Sequence, residues 1–351
     1  MNKLTKVGLS ALCGSLASVA AANAGTLEVL GGATATWSSN TGQVSGNPIG
    51  LSSGITFKGS GELDNGSTFT LTLTGADQDA YSSGSLSIAT PSLGTISVSQ
   101  ATGGNGLGGY DDKMPTAWEE SWGTSLGAGI DLPKGVASSM NIGYSSPTVL
   151  GTTLKLAYSP RNDGALVNDK AAGGSQSSYK QGGYDVVLDM NPSFGTDVLS
   201  GLNVFVAGSR TEIDKEVGLS KGNTADNHEE ALAGVIYAYG PVKLGYQRSI
   251  EMSGLETAGT TSYYQNNAFG ISFNVNDNLS LSYGEMESTR HITNATGNNK
   301  RTTTAESFQL AYTMGGASIK IAESEVDDAT YANGGTGSDF EATTIAFSLA
   351  F

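Results

Sequence analysis

The sequence predicts an all-β chain folded as a transmembrane antiparallel β-barrel of about sixteen strands. Three observations carry this. Short segments alternate apolar and polar residues with period two along the whole chain. No apolar run is long enough for a membrane-crossing helix. The connections between segments alternate in kind, a tight turn and then a long polar loop.

The N-terminus reads as an export signal. Lys3 and Lys6 supply the positive start, Val7 to Ala22 is a small-residue apolar stretch, and Ala22-Asn23-Ala24 is an A-x-A site. Cleavage is expected before Gly25, which divides the chain into a signal peptide (1–24) and a barrel domain (25–351). Cys13 is the only cysteine, so the exported chain holds no disulfide, thiolate metal site or Cys nucleophile. Leu12 before it argues against lipid attachment. Removing Lys3 and Lys6 leaves 16 basic against 33 acidic residues, a net charge of −17. That charge excludes a nucleic-acid partner, whose phosphates demand a basic surface. Glycine is abundant, at 49 residues, and only 15% of residues are charged.

The strands follow from the alternation. In chain order they are expected at about 26–37, 51–63, 67–75, 84–90, 94–100, 138–145, 151–159, 181–190, 199–210, 229–239, 242–251, 263–275, 279–288, 303–313, 317–325 and 341–351. Phe69, Leu71 and Leu73 alternate with threonines; Val242, Leu244 and Tyr246 alternate with Lys243, Gly245 and Gln247. Leu279, Leu281 and Tyr283 alternate with Ser280, Ser282 and Gly284, and Ile345, Phe347, Leu349 and Phe351 with Ala346, Ser348 and Ala350. Ten residues at about 3.3 Å each, tilted by about 45°, cover roughly 24 Å, the height of a membrane barrel's apolar band.

Tight turns are expected at Asp64-Asn65-Gly66, around Pro91-Ser92-Leu93, at Gly240-Pro241, at Asn276-Asp277-Asn278 and at Met314-Gly315-Gly316. The intervening connections 101–137, 160–180, 211–228, 252–262, 289–302 and 326–340 are long and polar. Antiparallel neighbours put successive connections at opposite ends, so one end carries tight turns and the other long loops. Membrane barrels sort their loops this way, and an even strand number returns both termini to the periplasmic side. Sixteen strands also enclose more space than side chains can fill, which implies a water-filled pore.

Lys58, Lys155, Lys243 and Lys320 sit mid-strand on the polar face. A lysine at the hydrocarbon midplane costs roughly 2–4 kcal/mol, so all four are assigned to the lumen wall. His228 and His291 fall in polar loops and read as surface residues. Tyr144, Tyr158, Tyr237, Tyr239, Tyr246 and Phe351 fall near strand ends, where aromatic girdles form. No G-x-S-x-G, H-E-x-x-H or phosphate loop is present, and the chain is read as a non-enzyme.

Several segments resemble the general-diffusion porins of Gram-negative bacteria, of the alphaproteobacterial type. Asn141-Ile142-Gly143-Tyr144-Ser145-Ser146-Pro147-Thr148-Val149-Leu150-Gly151, with Leu154 and Tyr158, is similar to their sixth and seventh strands. Leu93-Gly94-Thr95-Ile96-Ser97-Val98 resembles their fifth strand, and Ala268 to Phe273 with its Asn-Asp-Asn turn resembles a later one. The last strand, ending at Phe351, resembles the signal read by the barrel assembly machinery. The resemblance implies a homotrimer in the outer membrane, passing small hydrophilic solutes and ions. It also implies that the third loop, Ala101 to Ala137, folds into each lumen as a constriction opposed by basic wall residues. Lys58, Lys155, Lys243 and Lys320 are the candidates for that wall. The usual wall cluster is arginine-rich, whereas Arg161, Arg210, Arg248, Arg290 and Arg301 fall near strand ends or in loops.

The third loop holds Asp111, Asp112, Glu119, Glu120 and Asp131 against only Lys113 and Lys134. These carboxylates either set a cation preference, chelate Ca²⁺ (Asp111 and Asp112 being its ligands), or form a solvated acidic loop. Trp118 and Trp122 either line the eyelet and stack on a solute or anchor the loop to the wall. Glu323, Glu325, Asp327 and Asp328 form an outer acidic edge, where divalent ions or lipopolysaccharide can bridge carboxylates. Rival readings are a pore selective for a sugar or small organic ligand, a non-conducting structural or adhesive barrel, and a soluble lectin-like β protein.

Overall fold

The computed structural model describes residues 25–42, 46–77, 79–102, 105–123, 126–136, 139–160, 180–192, 199–214, 226–255, 259–293, 299–332 and 338–350. The expected signal peptide and Phe351 lie outside them. Sixteen strands form one closed antiparallel barrel in sequence order. They are β1 (Thr26–Thr41), β2 (Ile49–Glu62), β3 (Thr68–Ala76), β4 (Asp79–Thr90), β5 (Gly94–Gln100), β6 (Asn141–Ser145), β7 (Thr152–Ser159) and β8 (Lys180–Met190). The second half comprises β9 (Leu202–Ile213), β10 (His228–Tyr239), β11 (Val242–Met252), β12 (Thr261–Asn274), β13 (Leu279–Ile292), β14 (Asn299–Met314), β15 (Ala317–Asp327) and β16 (Phe340–Ala350). β1 and β16 close the ring, in register from Gly32 opposite Ala350 to Thr41 opposite Glu341.

The expected tight turns form for local reasons. At the β2–β3 turn the Asn65 side-chain oxygen accepts the Ser67 N–H at 3.0 Å, and Gly66 takes φ +77°. At the β12–β13 turn the Asn276 side chain accepts the N–H groups of Asn278 (2.9 Å) and Leu279 (3.0 Å).

The sorting of long connections has one exception. β4 begins at Asp79 rather than near residue 84, so only residues 77–78 join it to β3. Asp77, at φ +53°, donates its backbone N–H to the Ser53 carbonyl of β2 and accepts the Ser53 N–H on its side chain, both at 2.8 Å. The early part of β4 is serine-rich and shows no alternation, which hides it in the sequence. β13 and β14 are also longer than expected, and the connection read as 289–302 shrinks to 293–298. The same lengthening corrects the reading of the histidines. His228 opens β10 and His291 is the second-to-last residue of β13, and both are buried.

Every strand presents two rows. One is large, apolar and exposed, as with Leu244 and Tyr246 on β11 or Phe308 and Tyr312 on β14. The other is small or polar and largely covered, as with Gln247 and Ser249 or Ser307 and Gln309. The alternation therefore runs opposite to that of a soluble barrel, with apolar groups outside. Lys58, Lys155, Lys243 and Lys320 all fall on the polar row by strand parity.

Buried apolar contacts occur where the β5–β6 connection meets this polar row. Leu107 and Tyr110 of the connection cluster with Val187, Phe205, Ala207 and Leu232 of the wall. Leu126 and Ala128 cluster with Ala305, Val326 and Ala342, and Leu132 with Ala268 and Met286.

Candidate functional site

The connection between β5 and β6 is held by side chains that the strands project from their polar row. Its first anchor is local: the Asn105 amide donates to Ser99 Oγ and Asn141 Oδ1, both at 2.9 Å, and Asn105 Oδ1 accepts from Ser97 at 2.9 Å. Asp185 of β8 then joins the outgoing and returning arms. Its Oδ2 accepts the Leu107 N–H at 3.0 Å and its Oδ1 the Val136 N–H at 3.1 Å. Gly135 packs directly over this carboxylate at φ +58°, where a Cβ would overlap Asp185. Two residues earlier on the return, Lys134 and Gly135 donate their N–H groups to Glu230 of β10, at 3.1 and 2.6 Å.

Farther round the wall, Tyr110 donates to Asp189 Oδ2 at 2.6 Å, and Gln247 of β11 donates to the Asp111 carbonyl at 2.6 Å. Met114 and Pro115 lie against Gly245 and Gly270, where a Cβ would meet Pro115 Cδ at 2.5 Å and Pro115 O at 2.8 Å. Ser282 of β13 accepts the Ala117 N–H at 2.8 Å. Gln309 of β14 is the busiest anchor. Its Oε1 accepts from Thr116 Oγ1 (2.7 Å) and from the N–H groups of Trp118 and Glu119 (3.0 Å each). Its Nε2 donates to the Glu119 carbonyl at 2.8 Å. Asn266 of β12 donates to the Asp131 carbonyl at 3.0 Å, and Asp131 donates its N–H to Tyr331 Oη at 3.0 Å.

The residues singled out in the sequence fall into distinct settings. Asp111 and Asp112 stand together with Glu120 beside them. Burial raises the Asp111 carboxyl to about 7, with the Asp112 charge adding. Burial likewise raises Asp112 to about 6, with the hydrogen bond its protonated form donates to Glu120 adding. Asp131 pairs with Lys134 at 3.7 Å. Trp122 packs among the buried apolar clusters and anchors the connection. Trp118 lies with its ring 5.7 Å from Lys320 Nζ. Lys155 Nζ and Lys113 Nζ lie 5.0 and 5.3 Å from the Tyr110 ring. Lys58 pairs instead with Glu28 across β1–β2 at 3.7 Å, and Lys243 is exposed near the Gly240–Pro241 turn.

Sequence reasoning missed the wall residues that do the anchoring, Asp185, Glu230 and Gln309, although their polar-row parity was the signal used for the lysines. Two of the arginines, read as near strand ends or in loops, lie near strand ends. Arg290 and Arg301 belong to strands, on the polar row, directly opposite each other. Strand register strings a charged row along the wall: Asp185, Ser209, Glu230, Glu251, Tyr264, Arg290 and Arg301 are successive cross-strand neighbours from β8 to β14. Carboxylates occupy one end of this row and guanidinium groups the other.

Residues 8–350 match the Gram-negative porin family. The fold resembles Salmonella typhi OmpF in complex with daunomycin, with TM-score 0.64 and 15% identity over 93% of this chain and 98% of that one. It resembles the anion-selective porin from Comamonas acidovorans with TM-score 0.63 and 12% identity, over 93% and 100% of the two chains. It also resembles in-vitro folded OmpT of Vibrio cholerae in its trimer form, with TM-score 0.62 and 13% identity, over 93% and 99%. No curated protein sequence matches the chain. The exposed apolar row, the sixteen-strand closure and the span of the family match agree: the chain belongs to the Gram-negative porin family and is a channel protein of the outer membrane.

Proposed function

We propose that the β5–β6 connection lies within the lumen as a constriction, and that the channel passes small hydrophilic solutes and ions by passive, non-enzymatic diffusion. The observation that carries this is the reach of the connection along the polar row, from Asp185 on β8 to Gln309 on β14. Each of these anchors belongs to the row opposite the apolar one. The Asp111, Asp112, Glu119 and Glu120 carboxylates at the constriction favour cations modestly, as carboxylate rings do in cation pores. Lys155, Lys320, Arg290 and Arg301 on the polar row keep that preference modest. Single-channel recording in a planar bilayer tests both claims. Discrete steps with a reversal potential of cationic sign in a KCl gradient are expected; absence of steps, or anion preference, overturns the reading.

A solute-binding pore is the second reading, favoured by the Trp118 ring beside Asp112, Glu119 and Glu120 in a pocket against the wall. Saturable block of the current by a sugar or small aromatic solute distinguishes it. Ca²⁺ at Asp111 and Asp112 belongs to the same neighbourhood, and a change of conductance on Ca²⁺ chelation tests it.

The assembly is proposed to be a homotrimer, as OmpT of Vibrio cholerae is in its trimer form; the mass of the detergent-solubilised protein tests this. Export by residues 1–24 predicts a mature N-terminus at Gly25, and deletion of Phe351 is expected to lower insertion by the assembly machinery. Outside, Glu285, Glu306, Glu325 and Glu341 are successive cross-strand neighbours on the exposed row of β13 to β16. Divalent-bridged lipopolysaccharide would relieve their repulsion, and Mg²⁺-dependent retention of lipopolysaccharide on the purified protein tests that contact.

A further inference from the structure

We infer that His228, Glu230 and Glu251 form a binding site for a divalent transition-metal ion, of which Zn²⁺ is the representative. Strand geometry creates it. His228 and Glu230 are two residues apart on β10 and so share its polar row, and Glu251 of β11 is the register partner of Glu230. His228 and Glu230 are buried, at 5% and 6% exposure, and the Glu251 side chain is 13% exposed. His228 Nε2 lies 3.0 Å from Glu230 Oε1 and 3.6 Å from Glu251 Oε1. One ligand atom from each of the three residues falls within 4.8 Å of the others. Zinc bound tetrahedrally at about 2.0–2.2 Å sets its ligands about 3.3 Å apart, and the observed separations bracket that value.

Like charges directly opposite each other on neighbouring strands repel, and a divalent ion held between Glu230 and Glu251 relieves that repulsion. The neutral His228 imidazole supplies the third donor. One nitrogen and two oxygens are the donor set of Zn²⁺, Mn²⁺ or Co²⁺, whereas Ca²⁺ takes oxygen ligands alone. Three protein ligands leave a fourth coordination position for solvent.

The orienting groups are also present. Glu230 accepts the N–H groups of Lys134 and Gly135, which fix its carboxylate. Metal at this point therefore ties the returning arm of the β5–β6 connection to β10 and β11. The site is distinct from Asp111 and Asp112, which lie on the outgoing arm, and it does not depend on the ion preference of the pore.

Zinc titration of the folded full-length barrel in detergent, after chelation and dialysis, tests the inference. One Zn²⁺ per chain is expected, bound at least about tenfold more weakly by Glu251→Gln and by His228→Asn. Folding of both variants is checked by heat-modifiable migration and by the retention of discrete single-channel steps, whatever their size. Co²⁺ substituted into the wild-type protein should give the visible absorption of a low-coordinate N/O site, lost in Glu251→Gln, and excess Ca²⁺ should not displace it. Zinc binding equal in wild type and folded variants, no binding at all, or ready displacement by Ca²⁺ overturns the site.

Discussion

Arg290 of β13 and Arg301 of β14 are directly opposed across the sheet on the polar row, two positive charges side by side. Tyr331 receives both: its ring centre lies 5.0 Å from the Arg290 guanidinium carbon, and its carbonyl accepts from Arg301 Nη1 at 3.5 Å. Among the described residues neither arginine forms an ion pair, so their charge acts on the aqueous space they face. Replacing either with alanine is expected to strengthen cation preference. A unit charge about 10 Å from the ion path contributes about 0.4 kcal/mol in water, which is about twofold in the permeability ratio. Reversal potentials of Arg290→Ala and Arg301→Ala in a KCl gradient check this.

The Asp111 and Asp112 pair predicts a pH-dependent selectivity. Both carboxyls are raised chiefly by burial, to about 7 and about 6. Their charge is therefore present above that window and lost as pH falls through it. Cation preference should decline between pH 8 and pH 5, and Asp111→Asn with Asp112→Asn should flatten the profile. Linkage has the same sign. Raised carboxyl values mean that the folded state binds more protons, so their effect on stability is most favourable below about 4 and is lost as pH rises through about 7. A selectivity independent of pH in the wild-type channel would contradict the assignment.

Asp185 ties residues 107 and 136 to one carboxylate. Asp185→Ala leaves both N–H groups without their acceptor, at about 1–3 kcal/mol each. The connection should loosen while the barrel stays closed. Faster proteolysis within residues 101–140 and noisier channel openings, with heat-modifiable migration preserved, are the expected signs.

Gln309 holds Thr116, Trp118 and Glu119 at once. Gln309→Ala should release the acidic stretch from β14 and raise conductance, whereas Gln309→Glu keeps the acceptor oxygen but loses the amide donor to the Glu119 carbonyl. Comparing the two conductances separates the accepted bonds from the donated one.

Most strands could be read because their signal is local. Leu279, Leu281 and Tyr283 lie on one side of a strand wherever that strand sits, so alternation alone places them. β4 was shortened because its opening residues, Asp79-Ala80-Tyr81-Ser82-Ser83, carry no alternating apolar row. His228 and His291 were mistaken for loop residues because polar neighbours mask the strand ends on which they lie. The tight turns carried their own chemistry in Asn65, Gly66 and Asn276, and they fixed the connectivity that the family match then supported.

What the sequence determined by itself is the alternation, the number of strands and the placement of Lys58, Lys155, Lys243 and Lys320 on the polar row. These follow from a period of two along one chain. Only the tertiary structure decided which residues meet. Asp185 reaching both Leu107 and Val136, Arg290 opposing Arg301, and Glu230 opposing Glu251 depend on the register between strands and on the path of the β5–β6 connection. Register is set by every turn and loop together, and a one-residue slip would turn each of these side chains to the opposite face.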